Sequence, residues 1–422
     1  MPFTSFSSAL SALNANTTAI DVVGNNLANL STTGFKASTC SFQDLVTQSL
    51  GAGLGETQVG FGTGVPLTTR QFTQGALQAT SGVLDAAIQG DGFFVLQDST
   101  GAQLFSRAGN FQVDAEGHLL SATGDAVQGW TQINGQVDTN GPVGAITVPV
   151  GTLQPPRATS TFSVDMNLNA AAAVGSTDGT FSYPVEVDDS LGTSHVLTLT
   201  FTDAGGGAWN YSVSIPGEDL TGGTAGTPTV LTTGTLTFDS SGNLTAPDAT
   251  GRLINIPATG LVDGAADLNV NWDLYNGSAN PAPRLTQFAQ ISAVSASTQD
   301  GQPAAQLVRV GLANGGQILA QYSNGQQTVV AQVAMAGIRN PESLIAVGNN
   351  NYEASSLTAS PAIGVPDTGG RGKIMGGQLE ASTVDIATEF TSMIVYQRGY
   401  EANAKVVNTA DQLSQDTINL IR

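Results

Sequence analysis

Charge is scarce in this chain of 422 residues: Asp, Glu, Lys and Arg together make up 11% of it, far below the usual quarter. Basic residues are scarcer still, 13 against 33 acidic ones, for a net charge of −20. Such a chain has no basic footprint for nucleic acid and no attraction to an anionic lipid surface. The acidity keeps a concentrated protein soluble and equally suits a saline habitat. One cysteine, Cys40, excludes an internal disulfide and a multi-cysteine metal site. No run of eighteen apolar residues exists to cross a membrane as a helix. The N-terminus also lacks the basic stretch and contiguous apolar core of a cleavable leader. Export would therefore use a route that reads an uncleaved N-terminus.

Catalytic groupings are missing as well. His118 and His195 are the only histidines, and both fall in strand patterns as ordinary strand residues. Asp188-Asp189, in Glu186-Val-Asp-Asp, lacks EF-hand spacing and reads as a solvated acidic turn. Gly205-Gly-Gly207 does not open a helix in a βαβ unit, so it is a turn and not a phosphate loop. Cys40, in a Gly/Ser/Thr stretch, reads as a small buried residue. No catalytic, cofactor or metal site is expected.

What the chain does have lies at its ends. Residues 1–35 carry one charged side chain, Asp21. Phe3, Phe6, Leu10, Leu13, Thr17, Ile20, Gly24 and Leu27 recur at spacings of three and four, a heptad-like stripe. The opposite face is Ser, Thr, Asn and Ala. A solvated helix normally shows charge there, so this one expects packing all round. Residues 379–422 repeat the pattern with Ile386, Phe390, Met393, Tyr400, Ala404 and Val407, then Leu413, Ile418 and Ile421. Asp385 near the start and Arg422 at the end suit the helix dipole. The stripe has no large partner within the chain, which predicts termini that order on assembly.

Between the ends the period is two. Val83–Ile88, Gly92–Leu96, Leu104–Arg107, Asn110–Val113 and His118–Ser121 read as short strands separated by turns. Pro155-Pro156 begins a Thr- and Ser-rich stretch with 13 acidic residues against three arginines over 151–285. It has strands such as His195–Phe201, Trp209–Ile215 and Gly234–Phe238, and a hairpin turn at Asp239–Asn243. After Pro281-Ala-Pro283 strands resume, then a loop-rich run to about 378. The expected fold is mainly β with α-helical termini: two β-domains, one inserted in the other, and a coiled-coil-like hairpin of the two terminal helices. Its parts are 1–35 with 379–422 (helical inner core), 36–75 (a linker with short strands), 76–150 with 286–378 (a tube-forming β-domain) and 151–285 (an inserted outer β-domain).

Two segments carry a specific resemblance. Gly24-Asn-Asn-Leu-Ala-Asn-Leu-Ser-Thr-Thr-Gly-Phe-Lys36 resembles the N-terminal signature of the bacterial flagellar axial family of rod, hook and hook-like proteins. It matches at Asn25, Asn26, Ala28, Asn29, Thr32, Gly34, Phe35 and Lys36. Leu379-Glu380-Ala-Ser-Thr-Val-Asp385, with Glu389, Phe390, Met393, Gln397, Arg398, Tyr400, Asn403, Lys405 and Thr409, resembles the C-terminal signature. Thr383 stands where the family usually has Asn. Leu84–Val95 and Ser106–Asp114 resemble the strands of the family's tube-forming domain. No recognised similarity covers the insert.

The resemblance implies a self-assembling structural subunit, not an enzyme. Shorter rod members lack an insert, so 151–285 favours the hook, a flexible curved tube that joins rod to filament and transmits torque as a universal joint. Implied partners are further copies of the chain, the flagellar rod, the hook-cap and hook–filament junction proteins, and the flagellar export apparatus. The implied location is the extracellular flagellum, without membrane insertion. The implied assembly interface comprises Phe6, Leu10, Leu13, Ile20, Leu27, Phe390, Met393 and Tyr400 of the stripes. To these it adds Asn25, Asn26, Asn29, Gly34, Phe35, Lys36, Leu379, Glu380, Asp385, Gln397, Arg398, Asn403 and Lys405 of the signatures. A distal rod protein is the alternative within the family. A secreted β-rich adhesin would share the composition but not two charge-poor terminal helices.

Overall fold

The computed structural model describes residues 2–45, 47–50, 57–133, 135–277 and 281–420. Ile421 and Arg422, expected to close the C-terminal stripe and complement its dipole, lie outside the described residues, as do the side chains of Phe3 and Ile418. The chain divides into two compact units, Met1–Val150 with Val308–Gln321 and Gln327–Arg422, and Gly151–Leu307 with Tyr322–Gln326.

In the first unit, helix α1 spans Pro2–Ala28 and helix α2 spans Ile386–Leu420. After α1 the chain turns through Gly34, whose φ is +68°. A Cβ there would also sit 2.6 Å from the carbonyl carbon of Arg107, so backbone conformation and close approach both require glycine. Asp385 caps α2: its Oδ1 accepts the Thr388 N–H at 2.8 Å, and its carbonyl accepts the Glu389 N–H at 3.0 Å. The helix therefore begins later than residue 379, where the C-terminal helical part was expected to start. Leu379 and Glu380 are not helical. They lie in the strand Gln378–Glu380, paired antiparallel with Leu77–Ala79, because the backbone here bonds sideways to another segment.

The main sheet of this unit runs antiparallel from Gln327–Val333 through Ala126–Ile133, Phe93–Gln97, Gln103–Ser106 and Asn351–Glu353 to Ile345–Gly348. Three strands from the N-terminal half are flanked in it by strands from the C-terminal half. Phe93, Val95, Phe105, Ala336, Leu344 and Tyr352 form a buried cluster. The rings of Phe72, Phe93 and Tyr352 meet edge to face at 5.4 to 6.1 Å. Ile345–Gly348, Asn351–Glu353, Ala362–Gly364 and Lys373–Gly376 are strands where loops were expected. Each is too short for a period of two to show. Ser38–Ser41 pairs with Leu67–Arg70. In that two-stranded ribbon Cys40 is half-exposed opposite Thr68, not buried as expected.

The second unit is built of two sheets around one core. The strands Thr180–Asp188, Ser194–Gly205, Ala208–Pro216, Pro228–Phe238 and Leu244–Ala246 form an antiparallel meander. Alternate residues of Ser194–Gly205 are buried, the signature of a sheet with one covered face. Gly205-Gly-Gly207 makes a turn of this meander, and Asp239 Oδ1 accepts the N–H groups of Ser241 and Asn243 in the next. The other sheet runs Leu253–Ala258, Leu268–Asp273, Thr161–Asn169, Leu285–Phe288, with Ala293–Gln299 also paired to Thr161–Asn169. The second unit runs past the expected boundary at 285/286 to Leu307, since the strand Ala293–Gln299 also pairs with the strand Thr161–Asn169.

The acidic turn of this unit is not solvated. Asp188 and Asp189 are buried. Asp188 Oδ1 accepts the Ser194 hydroxyl at 2.6 Å, and Asp189 Oδ1 accepts the Leu191 and Thr193 N–H groups. His195 is buried beside them and is no ordinary strand-surface residue. Burial lowers its pKa, but its hydrogen bonds to Asp219 and Asp189 outweigh that and leave it raised.

Trp272 is fully buried, stacked on Phe162 at 6.2 Å and met edge-on by Phe201 and Tyr211. Trp272→Ala should destabilise this unit by about 3–5 kcal/mol, measured by denaturant unfolding followed through near-UV circular dichroism. A loss below about 1 kcal/mol would show that this aromatic cluster does not organise the core.

Candidate functional site

The sequence singled out both ends of the chain, and the first unit brings them together. α1 and α2 pack as an antiparallel hairpin. Asn26 Nδ2 donates to Glu389 Oε1 at 2.9 Å, and Asn16 faces Gly399 closely enough that a Cβ there would lie 2.9 Å from Asn16 Oδ1. Ten residues along α1 thus match ten back along α2, one continuous register.

The seam is made of small residues. On α1, Ala9, Ala15, Ala19, Val23 and Asn26 are buried, the last four at spacings of four, four and three that keep to one side of the helix. This is the face the sequence marked as small and neutral. The large stripe lies beside it and faces outward. Phe6 and Leu10 are 42% and 47% exposed, and Leu13, Ile20 and Leu27 are half-buried. On α2, Phe390 is 52% exposed, Tyr400 is exposed and Met393 is half-buried. Ile394, Val395 and Val406 are exposed too. The stripe expected on α2 did not include them, although they extend the apolar surface around the helix. Gln397, Arg398 and Lys405 are exposed, and Asn403 Nδ2 returns to the Gly399 carbonyl of its own helix.

The signature residues occupy the base of the hairpin. Asn26, 1% exposed, reads the backbone of Ser38 in both directions, donating to its carbonyl at 2.8 Å and accepting its N–H at 3.0 Å. Lys36 and Glu380 are completely buried and 2.6 Å apart. Lys36 Nζ also donates to the Thr73 carbonyl, while Glu380 Oε1 accepts the Gly75 N–H at 2.7 Å. Glu380 Oε2 accepts from Arg107 Nη1 at 3.3 Å, and the Arg107 guanidinium lies over the Phe93 ring. The Gly34 N–H donates to the Glu380 carbonyl at 2.7 Å, and Thr383 Oγ1 accepts the Ala37 N–H. Thr383, the departure from the signature, thus still binds the N-terminal segment. Burial pushes the Lys36 ammonium below its ordinary value, against the pull of Glu380, and does the same to Arg107. Burial also raises Glu389, opposed by its hydrogen bond from Asn26.

Asn26, Gly34, Phe35, Lys36 and Glu380, expected at the assembly interface, are instead all buried inside a single chain. They are mostly polar or conformationally special residues that fasten the N-terminal and C-terminal segments to each other. Asn25 and Asn29 differ, lining an open pocket with Arg70, Ser106, Asn350 and Tyr352.

Known protein families match this chain in segments that follow the chain order. Residues 6–36 match the flagella basal body rod protein family and 375–420 the flagellar basal body rod FlgEFG protein C-terminal family. Residues 87–167 match the flagellar hook protein FlgE/F/G D1 domain, and 159–302, where the sequence alone carried no resemblance, match the flagellar basal body protein FlaE D2 domain. The class is an axial structural protein of the bacterial flagellum.

Full-length relatives narrow it. The flagellar hook protein FlgE of Salmonella typhimurium is 33% identical over 427 residues, covering 99% of this chain and all of the relative. FlgE of Borreliella burgdorferi is 33% identical, covering 98% of each, and FlgE of Escherichia coli is 32% identical, covering 98% and 99%. The crystal structure of Helicobacter pylori flagellar hook protein FlgE2 shares the fold, with a TM-score of 0.54 at 14% identity over 72% of this chain and all of that one. The chain belongs to the flagellar hook protein FlgE family and is a structural subunit of the hook.

Glu380→Gln removes the one carboxylate that faces both Lys36 and Arg107. Leaving buried cations unpaired should cost about 3–5 kcal/mol. The loss should appear in the unfolding transition of the first unit and leave that of the second in place. Lys36→Met combined with Glu380→Gln should cost less than the sum of the single changes. Strict additivity would mean that the two groups are not coupled.

Asp385 gives a pH-dependent readout. The Thr388 N–H holds its carboxyl below the ordinary 3.8, so its contribution to the helix start is present above that value and is lost as pH falls through the depressed one. Asp385→Ala should reduce α2 helicity at neutral pH by far-UV circular dichroism. The difference from the parent chain should vanish on acidification. A difference that persists unchanged in acid would remove Asp385 as the charged cap.

Proposed function

We propose that copies of this chain polymerise through the large apolar side chains that the helix hairpin leaves uncovered. The observation that carries the reading is the division of α1 and α2 into two faces. The seam between them is Ala, Val, Asn and Gly, while Phe6, Leu10, Ile386, Phe390 and Tyr400 remain exposed in the isolated chain. A monomer gains nothing from such a surface. Burying each large apolar side chain against a neighbour contributes about 1.5–3 kcal/mol, and few charges on α1 oppose close approach. The half-exposed stripe of Leu13, Ile20, Leu27 and Met393 flanks this surface.

In the assembled hook, the hairpins form the inner layer of a tube connecting rod to filament, and the β-units form its wall. Gly- and Thr-rich β-surfaces with few charged residues make weak contacts that repack between closely spaced states. That suits a curved, flexible joint transmitting torque. The rod, the hook cap and the hook–filament junction proteins bind the tube's ends. The flagellar export apparatus delivers the subunit to the cell exterior with α1 retained, since α1 is half of the hairpin. Among the described residues no helix is long and apolar enough to cross a membrane.

Leu10→Asp and Phe390→Asp each place a carboxylate where a neighbour should press, which costs several kcal/mol if it is buried unpaired. Both should raise the concentration needed for polymerisation at least about a hundredfold, measured by sedimentation and electron microscopy, and abolish swimming. Val174→Asp, on an exposed site of the second unit, should polymerise normally. Normal hooks with Leu10→Asp or Phe390→Asp at parental protein level would overturn the assignment.

A further inference from the structure

Within the second unit, three carboxylates converge on one buried imidazole. His195 is 5% exposed. Its Nδ1 lies 3.1 Å from Asp219 Oδ2, and its Nε2 lies 3.2 Å from Asp189 Oδ2 and 4.0 Å from Asp263 Oδ2. The Nε2 and the two carboxylate oxygens facing it all fall within 4.8 Å of one another. Among the described residues, no Lys or Arg pairs with any of the three carboxylates. Even a protonated imidazole therefore leaves the cluster negative, and a group of carboxylates around a buried ring is costly without a compensating cation.

We propose that Asp189, His195 and Asp263 form a binding site for a divalent transition-metal ion of the zinc type. Zinc binds imidazole nitrogen and carboxylate oxygen at about 2.0–2.2 Å, so tetrahedral ligands stand about 3.3–3.5 Å apart. The separations on Nε2 bracket that spacing. Each carboxylate is also pre-aimed. Asp189 Oδ1 is held by the Leu191 and Thr193 N–H groups at 2.8 and 2.9 Å, and Asp263 Oδ1 by the Ala265 N–H at 3.0 Å, leaving Oδ2 of each turned to the ring. Asp219 is the positioning residue. A carboxylate accepting the Nδ1 proton fixes the tautomer that presents Nε2 as a ligand and raises its basicity. Asp219 and Asp263 are about one-quarter exposed, so water can reach the remaining coordination positions.

The site ties separate segments together. The Val262 N–H donates to the Asp219 carbonyl at 3.0 Å, and the Thr221 N–H to the Gly260 carbonyl at 2.7 Å. The loop carrying Asp263 is thus already laid on the segment carrying Asp219. A metal would fasten that loop to the Asp189 turn and stiffen this end of the unit.

The test uses the full chain, freed of metal by a chelator and titrated with Zn²⁺ against a competing chromophoric chelator, and in parallel with Co²⁺ followed by its visible d–d bands. The parent chain should bind one tight equivalent, show the intense Co²⁺ bands of a low-coordination site, and melt at a higher temperature with Zn²⁺ than without. Asp263→Asn, a change in a partly exposed loop that preserves folding, should weaken Zn²⁺ at least tenfold and abolish the Co²⁺ bands. Asp219→Asn keeps every ligand and should weaken binding 10–100-fold. Asp114→Asn, beside the exposed His118, should change nothing. No tight equivalent in the parent chain, or Zn²⁺ affinity unchanged in both Asp263→Asn and Asp219→Asn, would overturn the proposal.

Discussion

The Glu380 carboxylate is the point on which the first unit depends. It is buried without access to water, and it survives there because donors from three places in the chain surround it: Lys36, the Gly75 N–H and Arg107. A buried ion pair is weak evidence of net stability, since desolvation offsets most of the attraction. Its value here is that it is intolerant of alternatives. Residues 36, 75, 107 and 380 must meet in one geometry or leave a charge stranded. The hairpin of α1 and α2 grows from that junction, so the register of two helices far apart in sequence is set at their base. Asn26 extends the same device one turn up α1, linking Ser38 and Glu389.

This arrangement accounts for the identities of the signature residues. An assembly surface tolerates many side chains of similar size and polarity. A buried amide that reads a backbone in both directions does not, nor does a glycine at positive φ whose missing Cβ would strike Arg107. These signature residues therefore record how one chain closes on itself.

The helices were legible from the sequence because a heptad stripe without charge fits a packed helix and little else. The strands Ser194–Gly205, Ala208–Pro216 and Pro228–Phe238 of the second unit were legible because alternation persists over nine to twelve residues. The faces were harder. Period alone does not say whether a helix presents its large or its small side to its partner. The stripe of Phe6, Leu10 and Phe390 read as the packed face, yet Ala9, Ala19 and Val23 proved to be the seam within the chain. Small residues allow close approach and show no hydrophobic signal of their own. The strands between 345 and 376 were missed because three or four residues carry no period. The burial of Asp188, Asp189 and His195 was missed for another reason. Acidic residues in a turn normally face water, and only the folded chain shows Asp219 and Asp263 arriving from 24 and 68 residues further along to enclose His195.

The two units manage polarity in opposite ways, and the difference follows from composition. The first unit places its buried cations Lys36 and Arg107 against one carboxylate, and its helices expose large apolar surface. The second unit has a self-sufficient aromatic and aliphatic core, with Trp272, Phe162 and Phe201 fully buried, but from residue 158 to 251 it has no Lys or Arg to neutralise what it buries. A unit so built can fold on its hydrophobic core alone, because burial of apolar area does not need a second chain. The hairpin cannot complete its burial in the same way. The buried positions of α1 are mostly small side chains, whose burial removes little area from water, and although Tyr396 packs on Phe42, Phe6, Leu10, Ile386 and Phe390 stay exposed. Burial is thus complete within the second unit and incomplete in the hairpin, whose exposed Phe6, Leu10, Ile386 and Phe390 remain open to solvent in the single chain.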